Sequence, residues 1–267
     1  DAGCSLCIWW RPGCHRGRAG VPIGQGGLSS AGSGGWSTLT PMATSSTTTT
    51  TPAIGALRVG TAGFAGTSQH WAGPCFPPGA KSKADKALDF FQEIFDVVEV
   101  NGTCHAMPTD SQIAAWKSHA AGNFEFCLKV HHTVTHDSCP QSVKLECFAT
   151  FLARAAPLGT HLGPLLLQFP RSFSNTADNK DYLRALATTL AASPIPSARI
   201  ALEVRHPAWL SDEAFLTELR SLKWALVHHP NTLGRATIVH RSGNADSYAI
   251  EPLKADWPIT AGDWTFI

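Results

Sequence analysis

Two short stretches decide the fold: Val97-Val98-Glu99-Val100-Asn101 and Arg199-Ile200-Ala201-Leu202-Glu203-Val204-Arg205-His206. In an extended chain, successive side chains point to opposite faces. The first stretch therefore sets Val97, Glu99 and Asn101 against Val98 and Val100. The second sets Ala201, Glu203 and Arg205 against Ile200, Leu202 and Val204. Two further runs read the same way. Cys127, Lys129 and His131 oppose Phe126, Leu128 and Val130, and Gln168 shares a face with Leu166, opposite Leu165, Leu167 and Phe169. Each run keeps one apolar face and turns polar groups the other way near its carboxyl end. Charges on strands this apolar are costly unless they converge on one another or on a ligand.

Working outward, strands are expected at Leu57–Phe64, Val97–Thr103, Phe124–His131, Leu162–Phe169, Arg199–His206, Trp224–His229 and Trp264–Ile267. Helices lie between them. Ser82-Lys83-Ala84-Asp85 resembles a capping box before a stripe of Ala84, Ala87, Leu88, Phe91, Ile94 and Phe95. Asp110 is the expected cap of a second helix with Ile113, Ala114 and Trp116 inward. A third starts near Val143, buries Leu145, Phe148, Ala149 and Leu152, and stops near Pro157 and Gly159. The fourth presents Leu183, Leu186, Ala187 and Leu190, and the fifth, after Ser211, presents Phe215, Leu216, Leu219 and Leu222. Alternating strands and helices with apolar strands mean a parallel sheet covered by helices. An open sheet and a closed barrel both fit that order. Polar groups at the carboxyl ends of four strands favour the barrel, whose strand ends point to a common axis and whose C-terminal face carries the chemistry. The expected fold is thus α/β, a TIM-type (β/α) barrel. The competing use of the same charges is an internal ion-pair network, Glu99 or Glu203 with Lys129 or Arg205, that only closes the barrel.

The chain has 267 residues, 43% of them hydrophobic, but not all belong to this pattern. Residues 1–41 hold ten of the 23 glycines, three tryptophans, three arginines and one acid, Asp1. Such a composition buries too little surface to offset the entropy of ordering. The first methionine is Met42, followed by a Ser/Thr-rich stretch with the tract Thr47 to Thr51. The expectation is a disordered Gly/Ser/Thr-rich head over residues 1–56, with Met42 the natural start and 42–56 a weak targeting leader. The absence of a secretory apolar segment leaves the cytoplasm as the default compartment. Net charge is +1, and −1 once residues 1–41 are set aside, which argues against a general nucleic-acid binder. No apolar run reaches the ~18 residues a membrane-spanning helix needs. Of eight cysteines, Cys4, Cys7 and Cys14 with His15 sit in the head, at spacing too irregular for a zinc site. Cys104, Cys127, Cys139 and Cys147 read as buried thiols.

Several of these stretches resemble those of the YecE-like proteins, domain-of-unknown-function family 72. The matching segments are Val59-Gly60-Thr61-Ala62-Gly63-Phe64 with His70-Trp71, and Val98-Glu99-Val100-Asn101-Gly102-Thr103 through Pro108. They continue through Phe126-Cys127-Leu128-Lys129-Val130, Thr135-His136, Leu162-Gly163-Pro164 to Gln168-Phe169-Pro170, and Glu203-Val204-Arg205-His206-Pro207 with Trp209. The resemblance covers about Leu57 to Ile267 and implies a TIM-type barrel without an established reaction. Ala62 and Phe64 depart from the family's first motif, and Thr103-Cys104-His105 stands where Thr-Phe-Tyr is usual. Asp263-Trp264-Thr265-Phe266-Ile267 is similar to the start of the family's late strand, so the barrel is expected to be incomplete, lacking its last strand and helix.

Glu99 and Glu203 are paired carboxylates of the kind that general acid–base work requires, Lys129 a candidate nucleophile or anion ligand, and His136 a candidate proton shuttle. His206 and His228 are further candidate proton shuttles or metal ligands; if its strand is regular to the end, His206 instead faces away from Glu203 and contacts a loop. Thr61, Asn101, Gln168 and Arg205 are the expected substrate-binding residues, Arg205 for its rigid fork. The resemblance also suggests kinship with metal-dependent endonuclease barrels, which would ask Glu99, His131, His136, Glu203 and His228 to hold a divalent metal; no tight His-x-Asp/Glu spacing supports it. The expected partner is a small anionic ligand. The expected function is enzyme-like, with an anion-binding polar site at the C-terminal strand ends and hydrolysis of a phosphorylated or nucleic-acid-like substrate; the alternatives are a barrel that binds phosphate or carboxylate without turnover and an inactive fragment.

Overall fold

The computed structural model describes residues 6–11, 56–63, 84–228, 260–261 and 265–266. In chain order the elements are β1 (Leu6–Arg11), β2 (Ala56–Ala62), α1 (Ala84–Ile94), β3 (Val97–Val100), α2 (Gly102–His105), α3 (Asp110–His119) and β4 (Glu125–Lys129). They continue with α4 (His132–Thr135), α5 (Gln141–Ala155), β5 (Leu162–Gln168), α6 (Ala177–Ala191), β6 (Ile200–Glu203), α7 (Glu213–Leu222), β7 (Ala225–Leu226) and β8 (Thr265–Phe266). Six strands, β2 to β7, lie in chain order and pair in parallel. Strand β1 pairs antiparallel with β2 along six residues and antiparallel with β8 along two. The His228 amide donates to the Phe266 carbonyl at 2.9 Å, bringing the β7 end of the sheet against β8. The sheet therefore curls into an incomplete α/β barrel.

The alternation read from the sequence separates two layers. Outward-facing Val98, Val100, Phe126, Leu128, Leu165, Leu167, Ile200 and Leu202 join the helices in one apolar core. Inward-facing Val97, Cys127, Leu166, Ala201, Ala225 and Val227 form a second, smaller cluster with Phe266. The helices bury Leu88 and Phe91 of α1, Ile113 of α3, Phe148, Phe151 and Leu152 of α5, and Phe215, Leu216 and Leu219 of α7. Beyond α6, the Trp209 indole donates to the Phe173 carbonyl at 2.8 Å and its ring stacks on Phe173. Two backbones come unusually close. A Cβ on Gly60 would lie 1.8 Å from the Val97 carbonyl oxygen, so the β2–β3 contact requires glycine there.

Several expectations change. Within the head, Leu6–Arg11 forms β1, whose Ile8-Trp9-Trp10 is a β-branched and aromatic run. This strand lies between β2 and β8. The strands end earlier than expected, because α2 begins at Gly102, α4 at His132 and a short turn of helix at Pro207. Helix α3 is capped by Thr109, not Asp110; its hydroxyl accepts from the Gln112 amide while the Gln112 side chain accepts from the Thr109 amide. Asp212, not Ser211, caps α7. Ile94, Ala114 and Ala149 are exposed, each at the rim of its helix stripe. Phe64, His70, Trp71, Ser82, Met42, the Thr47 to Thr51 tract, Cys4, Cys14, His15, His229 and Trp264 lie outside the described residues.

The amino-terminal end of the barrel holds a buried ion cluster. Glu125 is 5% exposed, accepts from Arg199, which immediately precedes β6, and pairs with Arg58, in the first half of β2, at 3.4 Å. Arg58 also donates to the Asn123 carbonyl, and Arg199 to that of Leu162 at 3.2 Å. Removing one member of a buried ion network leaves its partners uncompensated, at about 3–5 kcal/mol. Glu125→Ala is expected to lose about that much in urea denaturation, and Glu125→Gln less; a loss under about 1 kcal/mol in the alanine variant would refute the role. Stability should also depend on pH through His228, whose burial lowers its pKa from 6.5 to about 4. Between those values the unfolded chain takes up a proton that the folded one refuses, so stability falls as pH drops through this window. The urea midpoint is expected to fall from pH 7 to about pH 4.5, with a shallower fall in His228→Gln.

Candidate functional site

Four parallel strands repeat one pattern on their inner face. Each carries an apolar residue and, two positions on, a polar one: Val97 then Glu99, Cys127 then Lys129, Leu166 then Gln168, Ala201 then Glu203. The register staggers these steps. Glu99 lies beside Ala62 and Cys127, Lys129 beside Leu166, and Gln168 beside Glu203. All four strands run the same way, so the polar members form a ring toward the carboxyl ends that is stepped by two residues from β3 to β4 and from β4 to β5.

Within this ring Glu203, 4% exposed, accepts from the Arg205 Nε at 2.8 Å. Part of the ion-pair alternative is therefore realised. The Arg205 side chain is one-third exposed, so its guanidinium reaches the mouth. Glu99 is 7% exposed. Lys129 is half-buried, and its carbonyl accepts from the Thr103 hydroxyl at 2.7 Å, tying the end of β4 to α2. His136 follows α4, its Nδ1 2.7 Å from the Thr135 Oγ1. Its pKa is held below the usual histidine value, first by desolvation and then by the charges of Lys129, Arg205 and His132, with Asp137 opposing. The charges of Lys129 and Arg205 thus act on His136 from two other segments of the chain. Cys104 borders it: burial raises its pKa, Lys129 lowers it, and Asp137 and Glu99 raise it.

Other expected site residues fall elsewhere. Thr61 pairs with Val98, whose side chain is in the outer core, and its hydroxyl donates to the Gly63 carbonyl at 2.9 Å. It stands on the opposite face from Glu99 and helps shape a turn. Asn101 is half-buried where β3 has already turned helical, with φ −66° and ψ −27°, so the strand alternation no longer governs it. His131 leaves the inner face for α5, where its Nδ1 lies 3.8 Å from the Cys147 Sγ. His206 accepts from the Ala208 amide at 3.3 Å, the local loop contact expected of it. His228 is buried near β8. The five groups named for a divalent metal are thus dispersed, and among the described residues no cluster of three or more His, Cys, Asp or Glu side chains could hold one.

Sequence reading missed a polar cluster beside the mouth. His132 Nδ1 lies 2.9 Å from Asp137 Oδ1, and the Thr133 hydroxyl donates to Asp137 Oδ2 at 2.9 Å. The Asp137 carboxyl is held below its ordinary pKa by these two bonds. The signal was present as the dense polar run His131-His132-Thr133 to Asp137, but no strand period points at it. Among the described residues, no helix is long and apolar enough to cross a membrane.

The chain is 28% identical over 125 residues to the UPF0759 protein YecE of Escherichia coli, which covers 47% of this chain and 43% of that protein. It is 26% identical over 153 residues to the UPF0759 protein YunF of Bacillus subtilis, covering 55% of this chain and 52% of that one. The chain thus spans about half the length of these curated relatives. A DUF72 family protein from Thermotoga maritima has a TM-score of 0.48 at 24% identity, covering 62% of each chain. One from Enterococcus faecalis has a TM-score of 0.47 at 23% identity, covering 56% of this chain and 59% of that one. The family model described as "Protein of unknown function DUF72" matches residues 58–259, most of the chain, which therefore belongs to the DUF72 family.

Proposed function

We propose that the mouth of the barrel binds a small anion, a phosphate or carboxylate group carried by the substrate or ligand. The observation that supports this most is the Glu203–Arg205 ion pair beyond the end of β6, with Lys129 at the end of β4 beyond the apolar inner layer. Two fixed cations at a partly desolvated rim favour a ligand of opposite charge, and the guanidinium supplies paired donors for an oxyanion. Glu203 holds Arg205 by its Nε, so the guanidinium is oriented before any ligand arrives. Pre-orientation lowers the ordering cost of binding. Gln168, beside Glu203 in the register, adds an amide donor at the same level.

The arrangement favours binding over turnover, because the Glu203 carboxylate is committed to holding Arg205. A hydrolytic reading on phosphorylated substrates rests on Glu99 as the acid or base and His136 as the proton carrier. It would be supported by phosphomonoester hydrolysis that Glu99→Gln abolishes.

Inorganic sulfate is a suitable probe, since its charge does not change near neutral pH. In isothermal titration, Arg205→Ala is expected to weaken sulfate binding about tenfold to a hundredfold, the loss of one charged hydrogen bond of about 1.5–3 kcal/mol. Lys129→Ala is expected to act in the same direction, while the exposed Lys117→Ala on α3 leaves binding unchanged. Unaltered affinity in both Arg205→Ala and Lys129→Ala would overturn the reading.

A further inference from the structure

We propose that His132 is a general base, held in place by Asp137, that takes the proton of a ligand hydroxyl or of water. This role is independent of anion binding at the mouth. The geometry that carries it is a set of hydrogen bonds within residues 131–137. Helix α4 starts soon after β4 has ended, so these residues sit at the carboxyl ends of the strands, the face that carries the chemistry in barrels of this kind. The His136 and Asp137 amides both donate to the His132 carbonyl, at 2.7 and 3.2 Å, which turns the chain back towards α4. The Asp137 carboxylate then meets His132 Nδ1 at 2.9 Å through one oxygen and accepts from the Thr133 hydroxyl at 2.9 Å through the other. With both oxygens engaged, the carboxylate is fixed, and it fixes the ring.

The partners decide the tautomers. An ionised carboxylate only accepts, so the proton of neutral His132 is on Nδ1 and its Nε2 carries the lone pair. His131 is the reverse: its Nδ1 accepts from the Thr133 amide at 3.3 Å, so its proton is on Nε2. The two rings lie 4.3 Å apart between centroids. A backbone amide cannot accept, so charging His131 would set one N–H against another. Burial and the charges of His132 and His105 also hold the His131 pKa below the usual value, with Asp137 opposing. Of the two histidines, His132 is therefore the one to take a proton. When it does, the O–H bond of the ligand or water breaks, the proton passes to Nε2, and the oxygen keeps the electron pair. Nδ1–H stays on the ring, and Asp137 faces the new imidazolium without itself being protonated. The His132 and Asp137 side chains are 41% and 39% exposed, so the pair is open to a ligand.

Three measurements on the full chain test this. In long-range nitrogen–proton NMR spectra at about pH 8, where histidine is neutral, His132 is expected as the Nδ1–H tautomer and His131 as the Nε2–H tautomer. Diethyl pyrocarbonate, which acylates the lone pair of a neutral imidazole, is the reactivity probe, with each histidine followed by peptide mass spectrometry. Asp137→Ala is expected to slow acylation of His132 several-fold and to return it to the Nε2–H form. Thr133→Val slows it less. His119, which meets Asp89 at 3.1 Å, is the internal reference and keeps its rate in both variants. Hydrolysis of ethyl dichloroacetate, in which an imidazole base takes the proton of the attacking water, is the catalytic readout. His132→Gln is expected to lower the rate several-fold, and His119→Gln to leave it unchanged. The inference is overturned by an Nε2–H tautomer at His132 in the native chain, by acylation of His132 that Asp137→Ala leaves unaltered, or by equal ester hydrolysis in His132→Gln. None of these results bears on sulfate binding, so the anion reading stands or falls separately.

Discussion

The structure depends on the placement of Glu125 between Arg58 and Arg199 at the amino-terminal end of the barrel. Three charges, at the start of β4, within β2 and just before β6, meet at this end, and burying the Glu125 carboxylate without the two cations would be costly. Their meeting fixes how far these strands advance relative to one another. From that level upward everything counts in steps of two residues. Glu125 is followed by Cys127 and then Lys129, and Arg199 by Ala201 and then Glu203. The barrel interior is thus three stacked layers: ions at the floor, apolar side chains in the middle, and polar groups at the mouth.

This stacking explains why the mouth can hold charge at all. The middle layer of Val97, Cys127, Leu166 and Ala201 separates the two charged ends and keeps the floor from competing for the mouth's partners. A one-residue slip in any strand would drive its ionisable groups into the apolar layer shared with the helices. The outer core of Phe126, Phe148, Leu152, Leu167 and Trp209 resists such a slip, and Gly60 and Gly163 let neighbouring backbones approach closely enough to keep the pairing tight.

At the mouth, the loops matter as much as the strands. Thr103 ties α2 to the end of β4, Thr135 fixes His136, and Asp137 gathers His132 and Thr133. These contacts bring side chains that are distant from one another in the chain to one rim. Strands alone would have supplied Glu99, Lys129, Gln168 and Glu203; His136 joins them only because a short helix follows β4.

The sequence by itself determined which residues face which way along each strand. Side-chain alternation is a local property of an extended backbone, so Glu99, Lys129, Gln168 and Glu203 could be assigned to one face without knowing any neighbour. It also determined the order of strands and helices, since caps and apolar periods are local. Only the tertiary structure decided where those local rules stop. Asn101 and His131 left the inner face because helices start there, and Thr61 proved to lie on the other face once its pairing with Val98 was known. The pairing of Glu125 with Arg58 and Arg199, and the strand at Leu6–Arg11, were equally invisible from the sequence. Such features join residues far apart in the chain, and local backbone geometry carries no information about which distant segment completes a pair.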